Sequence, residues 1–323
     1  MSKLIIFPGQ GAQYGGMAKD LYEQNDKSRA VLDEIFSYVD FDLKEIMFSE
    51  EDARLNDTKY TQPALFAHSL AVLAATGLKG DYLLGHSLGE LPALVHAGVV
   101  TLRDGVKLVT TRGELMSRAD SGAMAAVIGM GFKDLEEACI SVSDDSSKVA
   151  PANINAPDQV VVSGDTDAVE RFKELAKERG ARRIIPLKVS GAFHSHLMEP
   201  ARKEFKSFVD TIDFNDAQIP VIQNVSAQAE TDAAAIKHQF VEQITHPVRF
   251  VECVETAAEL GVTEAVEVGP KKVQSGLVRK ITKEISTSNI DTFEQAEVFL
   301  NEYNSIGYRC FTRNRPRNRA DAG

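Results

Sequence analysis

Residues 85–89 place a serine between two glycines, in the form Gly-x-Ser-x-Gly. A short apolar run at 82–84 precedes them and predicts the end of a strand, and residues 90–97 predict a helix that stops at Gly98. Glycines on both sides allow a cramped strand-to-helix turn, which exposes the Ser87 hydroxyl. The segment therefore predicts a nucleophilic serine at a strand end. Because the pattern is short, it needs a base, an oxyanion site and a substrate-binding group elsewhere in the chain.

Strand-like apolar runs alternate with helical patterns in the first and last thirds of the chain. The predicted strands lie at 4–7, 82–84, 221–222 and 265–268, and the predicted helices at 64–75, 90–97 and 102–116. Such alternation predicts an α/β fold in which a mostly parallel sheet carries helices on both faces.

The middle of the chain has a different order, β-α-β-β-α-β, which is typical of the ferredoxin-like arrangement. Its predicted strands lie at 124–129, 149–154, 159–164 and 183–187, and its predicted helices at 133–142 and 167–178. We therefore expect residues 123–189 to form a ferredoxin-like inserted subdomain. Residues 1–122 and 190–285 would then form the larger core, which resembles an α/β-hydrolase.

The character of the chain changes again at about Ser286. Residues 291–303 predict one amphipathic helix, and arginines dominate residues 309–319. We expect residues 286–323 to form a C-terminal helix followed by a basic tail or linker. A disordered tail and a docking tail remain the two interpretations of the basic part.

Charge and cysteine content narrow the class of protein. The net charge of −11 argues against nucleic acid or an anionic membrane as the main partner. No apolar run approaches the length of a membrane span. The cysteines, at 139, 253 and 310, have neither disulfide nor metal-site spacing. They fit a reducing compartment, so we expect a cytoplasmic protein without a metal.

His194 is the best candidate for the base. It lies in a loop of small residues, 190–195, directly after a predicted strand, where a side chain can face a cleft. A purely structural role is the alternative when the residue is considered alone. His86 is expected to pack or to form a hydrogen bond, and His196 to be structural. The remaining histidines, His68, His96, His238 and His246, show neither a pairing nor a metal spacing.

Two further segments could complete a site for acyl chemistry. The loop at 8–13 is rich in glycine but lacks the P-loop lysine. Its flexible backbone could supply one N–H group to an oxyanion hole, and Leu88 could supply the other. Arg112 lies among helical apolar positions. It is either a surface residue whose stem packs or a bidentate ligand for a substrate carboxylate.

Eight segments, in order, resemble the malonyl-CoA:acyl carrier protein transacylase family. They are Phe-Pro-Gly-Gln-Gly at 7–11, Thr-Gln-Pro-Ala at 61–64, Gly-His-Ser-Leu-Gly-Glu at 85–90, Arg-Gly-x-Leu-Met at 112–116, Gly-Ala-Met-Ala-Ala-Val at 122–127, Asn-Ala-Pro-x-Gln-Val-Val at 155–161, Phe-His-Ser at 193–195 and Glu-Val-Gly-Pro at 267–270. The resemblance covers about residues 1–285 and leaves out the tail. A strand at the start of the chain is typical of free-standing members.

The resemblance implies a ping-pong transfer of an acyl group. Ser87 would attack the thioester of malonyl-CoA while His194 takes its proton. The N–H groups of Gln10 and Leu88 would hold the oxyanion, and Arg112 would pair with the free carboxylate of the malonyl group.

Other positions take their expected roles from the same resemblance. Phe193, Asn155 and Met116 would contact the substrate. Gln243 would orient the histidine through its main-chain carbonyl, so that no third acidic residue is needed.

The resemblance also implies the reactants. Malonyl-CoA would be the donor substrate, and the phosphopantetheine thiol of an acyl carrier protein would be the acceptor. No bound cofactor or metal is expected. The pathway is fatty acid or polyketide synthesis, and the unmatched tail favours the latter. The main alternative is an editing acyl hydrolase acting on carrier proteins, although a hydrolase for ordinary acyl chains has no use for a carboxylate ligand such as Arg112. A generic esterase would share only the serine turn and the histidine. A non-catalytic carrier-binding module is weaker still, because Ser87, His194 and Arg112 are all present.

Overall fold

The computed structural model describes residues 2–301, and all structural statements below concern that range. The strands are β1 (Ser2–Phe7), β2 (Tyr82–Gly85), β3 (Ala123–Ile128), β4 (Val149–Ala156), β5 (Gln159–Gly164), β6 (Arg183–Pro186), β7 (Val221–Ile222), β8 (Ala229–Glu230), β9 (Val262–Val268) and β10 (Ser286–Ile290). The helices are α1 (Lys19–Gln24), α2 (Asp26–Tyr38), α3 (Leu43–Phe48), α4 (Thr58–Thr76), α5 (Glu90–His96), α6 (Leu102–Ser117), α7 (Phe132–Val142), α8 (Thr166–Glu178), α9 (Glu199–Val209), α10 (Ala233–Glu242), α11 (Phe250–Glu259) and α12 (Val273–Ile281). Residues 293–301 are also helical.

The main sheet has six strands in the order β10-β9-β1-β2-β7-β8. Every neighbouring pair is parallel except β7 and β8. Successive side chains of a strand face opposite sides of the sheet. In β1, Ile5 and Phe7 join one hydrophobic core, whereas Leu4 and Ile6 join the other, and all four are fully buried. The sheet is thus covered on both faces, and the predicted α/β class is confirmed.

Different helices cover the two faces of the main sheet. The larger core contains side chains from α4, α5 and α6, and the smaller one contains side chains from α11 and α12. Helix α4 is buried along almost its whole length because it lies between the sheet and α6. Asp57 caps its N-terminus by accepting a hydrogen bond from the Lys59 amide. Gly77, with φ of 61°, ends it in the left-handed conformation that glycine adopts easily.

The second sheet has four antiparallel strands in the order β4-β5-β3-β6. This order, with α7 and α8 as crossovers, is the ferredoxin-like arrangement, and all of it lies within the 123–189 segment. The small sheet has its own core of buried side chains. It is tied to the larger part by hydrogen bonds from Ile154 to the carbonyl of Val248 and from Val248 to that of Ala152, at 2.8 and 2.9 Å.

The main sheet continues beyond residue 285, where we expected the core to end. Strand β10 pairs in parallel with β9, and Phe293 and Ala296 pack against the larger core. Four of the five residues of β10 are polar, and Ile290 is its only buried residue, because an edge strand leaves much of its surface in water. Apolar patterning therefore could not predict this strand. Residues 302–323, which include the end of the predicted 291–303 helix and the arginine-rich tail, lie outside the described residues.

No helix within residues 2–301 combines the length and the apolar character that crossing a bilayer requires.

Candidate active site

Ser87 begins a tight 3-10 turn between β2 and α5. Its φ of 54° lies in the left-handed region, which is strained for a residue with a side chain. The two glycines are required by close contacts: a Cβ on Gly85 would lie 1.9 Å from the Gly89 carbonyl carbon, and a Cβ on Gly89 would lie 2.4 Å from the Phe7 carbonyl oxygen. The turn therefore presses against β1 and turns the serine side chain towards a cavity.

His194 meets this serine from the loop that leaves the small sheet. Its Nε2 lies 2.8 Å from the Ser87 Oγ. Its Nδ1 lies 2.8 Å from the main-chain oxygen of Gln243 and 3.1 Å from that of His246. Carbonyl oxygens can only accept, so Nδ1 carries the proton and Nε2 is free to accept the hydroxyl proton of Ser87. Two carbonyls thus occupy the place that an aspartate takes in a Ser-His-Asp triad.

Burial keeps the imidazole of His194 neutral. The side chain is 4% exposed, and burial, together with the positive charge of Arg112, lowers its pKa to about 3. A neutral imidazole can act as a base at every physiological pH.

Arg112 lies on α6 and is 1% exposed, which favours the ligand interpretation over the surface one. One terminal nitrogen donates to Gln62 Oε1 at 2.6 Å, and the other donates to Ser87 Oγ at 3.1 Å and to Gln243 Oε1 at 2.9 Å. Among the described residues its Nε has no partner. Burial lowers the pKa of Arg112 to about 10, against the attraction of Glu90, so the guanidinium remains a cation at neutral pH.

A cavity of about 120 Å³ lies beside the side chains of Ser87, His194 and Arg112. Five of the predicted residues line it besides Ser87 and His194: Gln10, Leu88, Arg112, Met116 and Phe193. Apolar walls come mainly from the small sheet and its exit loop, through Met124, Leu187, Val189 and Phe193. The cavity thus lies between the two sheets and combines a buried cation with an apolar lining.

Asn155 is the predicted substrate-binding residue that does not line this cavity. Its Oδ1 lies 2.8 Å from His86 Nε2, and the cavity is lined instead by His86 and by Asn153. The ring of His86 also packs against Phe250, with ring centres 5.4 Å apart. His86 therefore packs and forms a hydrogen bond, as expected, and its burial lowers its pKa. The sequence could not decide between two asparagines on the same strand.

Three polar residues of the site were not singled out from the sequence. Gln62 and Glu90 fall inside matched motifs, but nothing in the pattern gave them a role. Asn224 follows the two-residue strand β7 and belongs to no motif. Its Oδ1 accepts from the main-chain N–H of Ser87 at 2.8 Å, and its own main-chain N–H donates to Glu90 Oε1 at 2.5 Å. Burial raises the pKa of Glu90 to about 8.

Within residues 2–301, no other histidine side chain lines the cavity, although the main-chain oxygen of His246 contacts His194. His196 pairs with Asp165 at 3.1 Å on the surface. His68, for which the sequence showed no pairing, is fully buried, and its Nε2 lies 2.8 Å from the main-chain oxygen of Asp291 and 3.2 Å from its Oδ1. These partners are 223 positions apart in the chain, so spacing could not reveal them.

The cysteines of the described range, Cys139 and Cys253, are buried and free. Over residues 2–301, no three His, Cys, Asp or Glu side chains are grouped in a way that could hold a metal ion.

Comparisons with known proteins agree with this architecture. Residues 4–298 match the acyl transferase domain family, so the match includes β10 and passes the expected limit at 285. A malonyl CoA-acyl carrier protein transacylase from Staphylococcus aureus is 45% identical over 302 residues, which is 92% of this chain and 98% of the relative. One from Bacillus subtilis is 43% identical over 314 residues, 94% of this chain and 99% of the relative.

A solved structure has the same fold throughout. It is a malonyl-transacylase in complex with its type II polyketide synthase acyl-carrier protein, and it is 35% identical to this chain with a TM-score of 0.89. The superposition covers 94% of this chain and all of the other.

Proposed function

Since the chain belongs to the acyl transferase domains and, among them, to the malonyl-CoA:acyl carrier protein transacylase family, we propose that it transfers malonyl through an ester on Ser87. One observation carries this proposal. The Ser87 Oγ lies 2.8 Å from a neutral imidazole nitrogen of His194 and 3.1 Å from a buried guanidinium nitrogen of Arg112. A nucleophile, a base and a carboxylate-binding cation therefore meet at one small cavity.

In the first half-reaction, Ser87 Oγ attacks the thioester carbon of malonyl-CoA while His194 Nε2 takes the hydroxyl proton. The N–H groups of Gln10 and Leu88 stabilise the negative charge on the carbonyl oxygen. When the tetrahedral intermediate collapses, the carbon–sulfur bond breaks and His194 returns the proton to the departing thiolate of coenzyme A. The malonyl group stays on Ser87 as an ester.

The second half-reaction repeats these steps with another thiol. The phosphopantetheine thiol of an acyl carrier protein gives its proton to His194 and attacks the ester carbon. The bond to Ser87 Oγ then breaks, and His194 protonates the serine. The main-chain oxygens of Gln243 and His246 hold the same imidazole tautomer in both directions.

Arg112 selects the acyl group that is transferred. It already donates to Ser87 Oγ, and its Nε has no partner among the described residues, so a carboxylate near the acylated serine would find free donors. An acetyl group would leave the buried cation without that partner, at a cost of about 1–3 kcal/mol. Met116 and Phe193 line the same cavity and would contact the malonyl chain, whereas Asn155 would act through His86.

The acceptor would be a carrier protein of fatty acid or polyketide synthesis. The preference for polyketide synthesis depended on an unmatched tail after residue 285. Residues 286–290 form β10 and residues 293–301 form a packed helix. Much of the supposed tail therefore belongs to the folded core and no longer favours polyketide synthesis. Either type of carrier protein fits the chemistry of the site.

Intact mass measurement tests the proposal. Mixed with malonyl-CoA, the protein should gain one malonyl group, which should move to an added phosphopantetheinylated carrier protein. The variant Ser87→Ala should gain none. Steady release of free malonate without an adduct would contradict the proposal and support the editing hydrolase instead.

A further inference from the structure

The peptide groups on either side of Ser87 have unusual hydrogen-bond partners. In a regular helix or strand, the main-chain N–H and C=O groups pair with other main-chain groups. Here the Ser87 N–H donates to Asn224 Oδ1 at 2.8 Å. The Ser87 carbonyl accepts from Gln243 Nε2 at 3.0 Å, in addition to the main-chain N–H of Glu90. Two side-chain amides therefore hold the residue whose φ of 54° is strained.

Hydrogen bonds hold both the side chain and the main chain of Asn224. It is fully buried, its Nδ2 donates to the Gly85 carbonyl at 2.7 Å, and its main-chain oxygen accepts from the Arg249 amide at 3.1 Å. Its main-chain N–H donates to Glu90 Oε1 at 2.5 Å. The side chain bridges the strand end before the serine and the serine amide, so it spans the tight turn.

Gln243 completes the arrangement from the other side. Its Nε2 donates to the Ser87 carbonyl and, at 3.2 Å, to Asn224 Oδ1. The Ser87 carbonyl and the Leu88 N–H belong to one planar trans peptide and point in opposite directions. A donor that fixes the carbonyl therefore also fixes the direction of the Leu88 N–H, the proposed oxyanion donor.

We propose that Asn224 is a positioning residue, which together with the Gln243 side chain holds Ser87 in its left-handed conformation and directs the Leu88 N–H. The inference rests on the proposed function, because it gives Ser87 and Leu88 their roles. Asn224 has no hydrogen bond to His194 or Arg112 among those described. Its loss should lower the rate of acylation and leave the selection of malonyl over acetyl intact.

The test compares Asn224→Ala with Gln223→Ala, its matched control. Gln223 is the preceding residue, is also buried and has an amide side chain, but within residues 2–301 its Nε2 donates only to the Val221 carbonyl. We expect Asn224→Ala to lower kcat for malonyl loading by about 100-fold, the loss that a displacement of about 1 Å can cause. KM and the malonyl-to-acetyl ratio should stay within about twofold. Gln223→Ala should load at the wild-type rate.

Two further measurements separate positioning from folding. Asn224→Asp retains an oxygen that accepts from the Ser87 amide, loses the donor to Gly85 and adds an ionisable carboxyl group. It should therefore load malonyl faster than Asn224→Ala and more slowly than wild type. A small sulfonyl fluoride that labels Ser87 without coenzyme A should react more slowly with both variants. Wild-type rates for the folded fraction of either variant, in loading or in labelling, would overturn the inference.

Failure of the proposed function has a different signature. In that case the wild-type protein forms no malonyl adduct, yet sulfonyl fluoride labelling still compares Ser87 reactivity between wild type and variants.

Discussion

Arg112 donates a hydrogen bond to the Oγ of Ser87 at 3.1 Å, so the cation that we assign to the substrate carboxylate contacts the nucleophile directly. The same guanidinium contacts the side chain of Gln243, whose main-chain oxygen holds His194. Carboxylate binding and proton transfer therefore share one hydrogen-bonded network. A carboxylate bound at Arg112 would lie beside the reacting ester.

Replacing Arg112 should change which acyl group is loaded. In Arg112→Ala we expect malonyl loading to fall by about 10- to 100-fold, since a hydrogen-bonded charge pair is lost. Acetyl loading should stay equal or rise, because no buried cation is left unpaired. Intact mass after mixing with each thioester gives the ratio of the two adducts.

Arg118→Ala is the control for this change. Arg118 follows the end of α6 and is exposed, where it pairs with Glu114 and Glu204. Equal losses of malonyl and acetyl loading in Arg112→Ala would show that Arg112 supports the structure and does not select the substrate.

The pH dependence of acylation should show that His194 stays neutral at pH values far below the usual pKa of histidine. Since the pKa of His194 is lowered to about 3, kcat/KM for malonyl loading should remain nearly flat between pH 7 and pH 5. The profile should be measured with Ser87 adduct formation as the readout. A half-maximal rate near pH 6.5 would contradict the expected environment of the ring.

The lowered pKa of His194 also makes the stability of the protein depend on pH. Between about pH 6.5 and pH 3 the unfolded chain binds a proton at His194 that the folded protein excludes, so stability falls as the pH drops through this window. His194→Gln should flatten part of that dependence in urea unfolding.

The sequence predicted the parts of the site that belong to short local patterns. Ser87 lies in a strand-turn-helix segment, and His194 and Arg112 each fall inside a matched motif. Asn224 could not be found in this way, because its role depends on contacts 137 and 139 positions away, with Ser87 and Gly85. Only the folded chain places β2 beside β7 and brings these groups together.

The C-terminal part of the core escaped prediction for a related reason. The polar side chains of β10 carry almost no apolar periodicity, and their place depends on pairing with β9. Asp291, directly after β10, accepts from Tyr14 at 2.8 Å and contacts the buried His68. These contacts link the two ends of the described chain and appear in no local pattern.

The glycines around Ser87 should tolerate no side chain. In Gly85→Ala the new Cβ would lie 1.9 Å from the main chain of Gly89, and neither segment can move without breaking the turn. We expect a loss of about 3 kcal/mol or more in the free energy of unfolding, together with the loss of malonyl loading. Urea unfolding and adduct formation measure the two effects.

Gly276→Ala is the matched control for the glycine change. Gly276 lies in α12, where an added Cβ would meet nothing within 4 Å. Alanine favours a helix interior over glycine, so this variant should gain about 0.5–1 kcal/mol and load malonyl normally. Stability of Gly85→Ala within error of wild type would refute the close approach described for this turn.

Glu90 should make the protein less stable as the pH rises. Burial raises its pKa to about 8, so between about pH 4.5 and pH 8 the folded protein holds a proton that the unfolded chain releases. The stability that this site contributes is therefore complete below pH 4.5 and is lost as the pH rises to 8.

The variant Glu90→Gln retains an oxygen acceptor for the main-chain N–H of Asn224 and cannot ionise. We expect its stability relative to wild type to increase from pH 5 to pH 8, by up to a few kcal/mol at roughly 1.4 kcal/mol per pKa unit. Urea unfolding at pH 5, 6.5 and 8 measures the difference. A difference that stays constant over this range would mean that Glu90 is already ionised in the folded protein at pH 5.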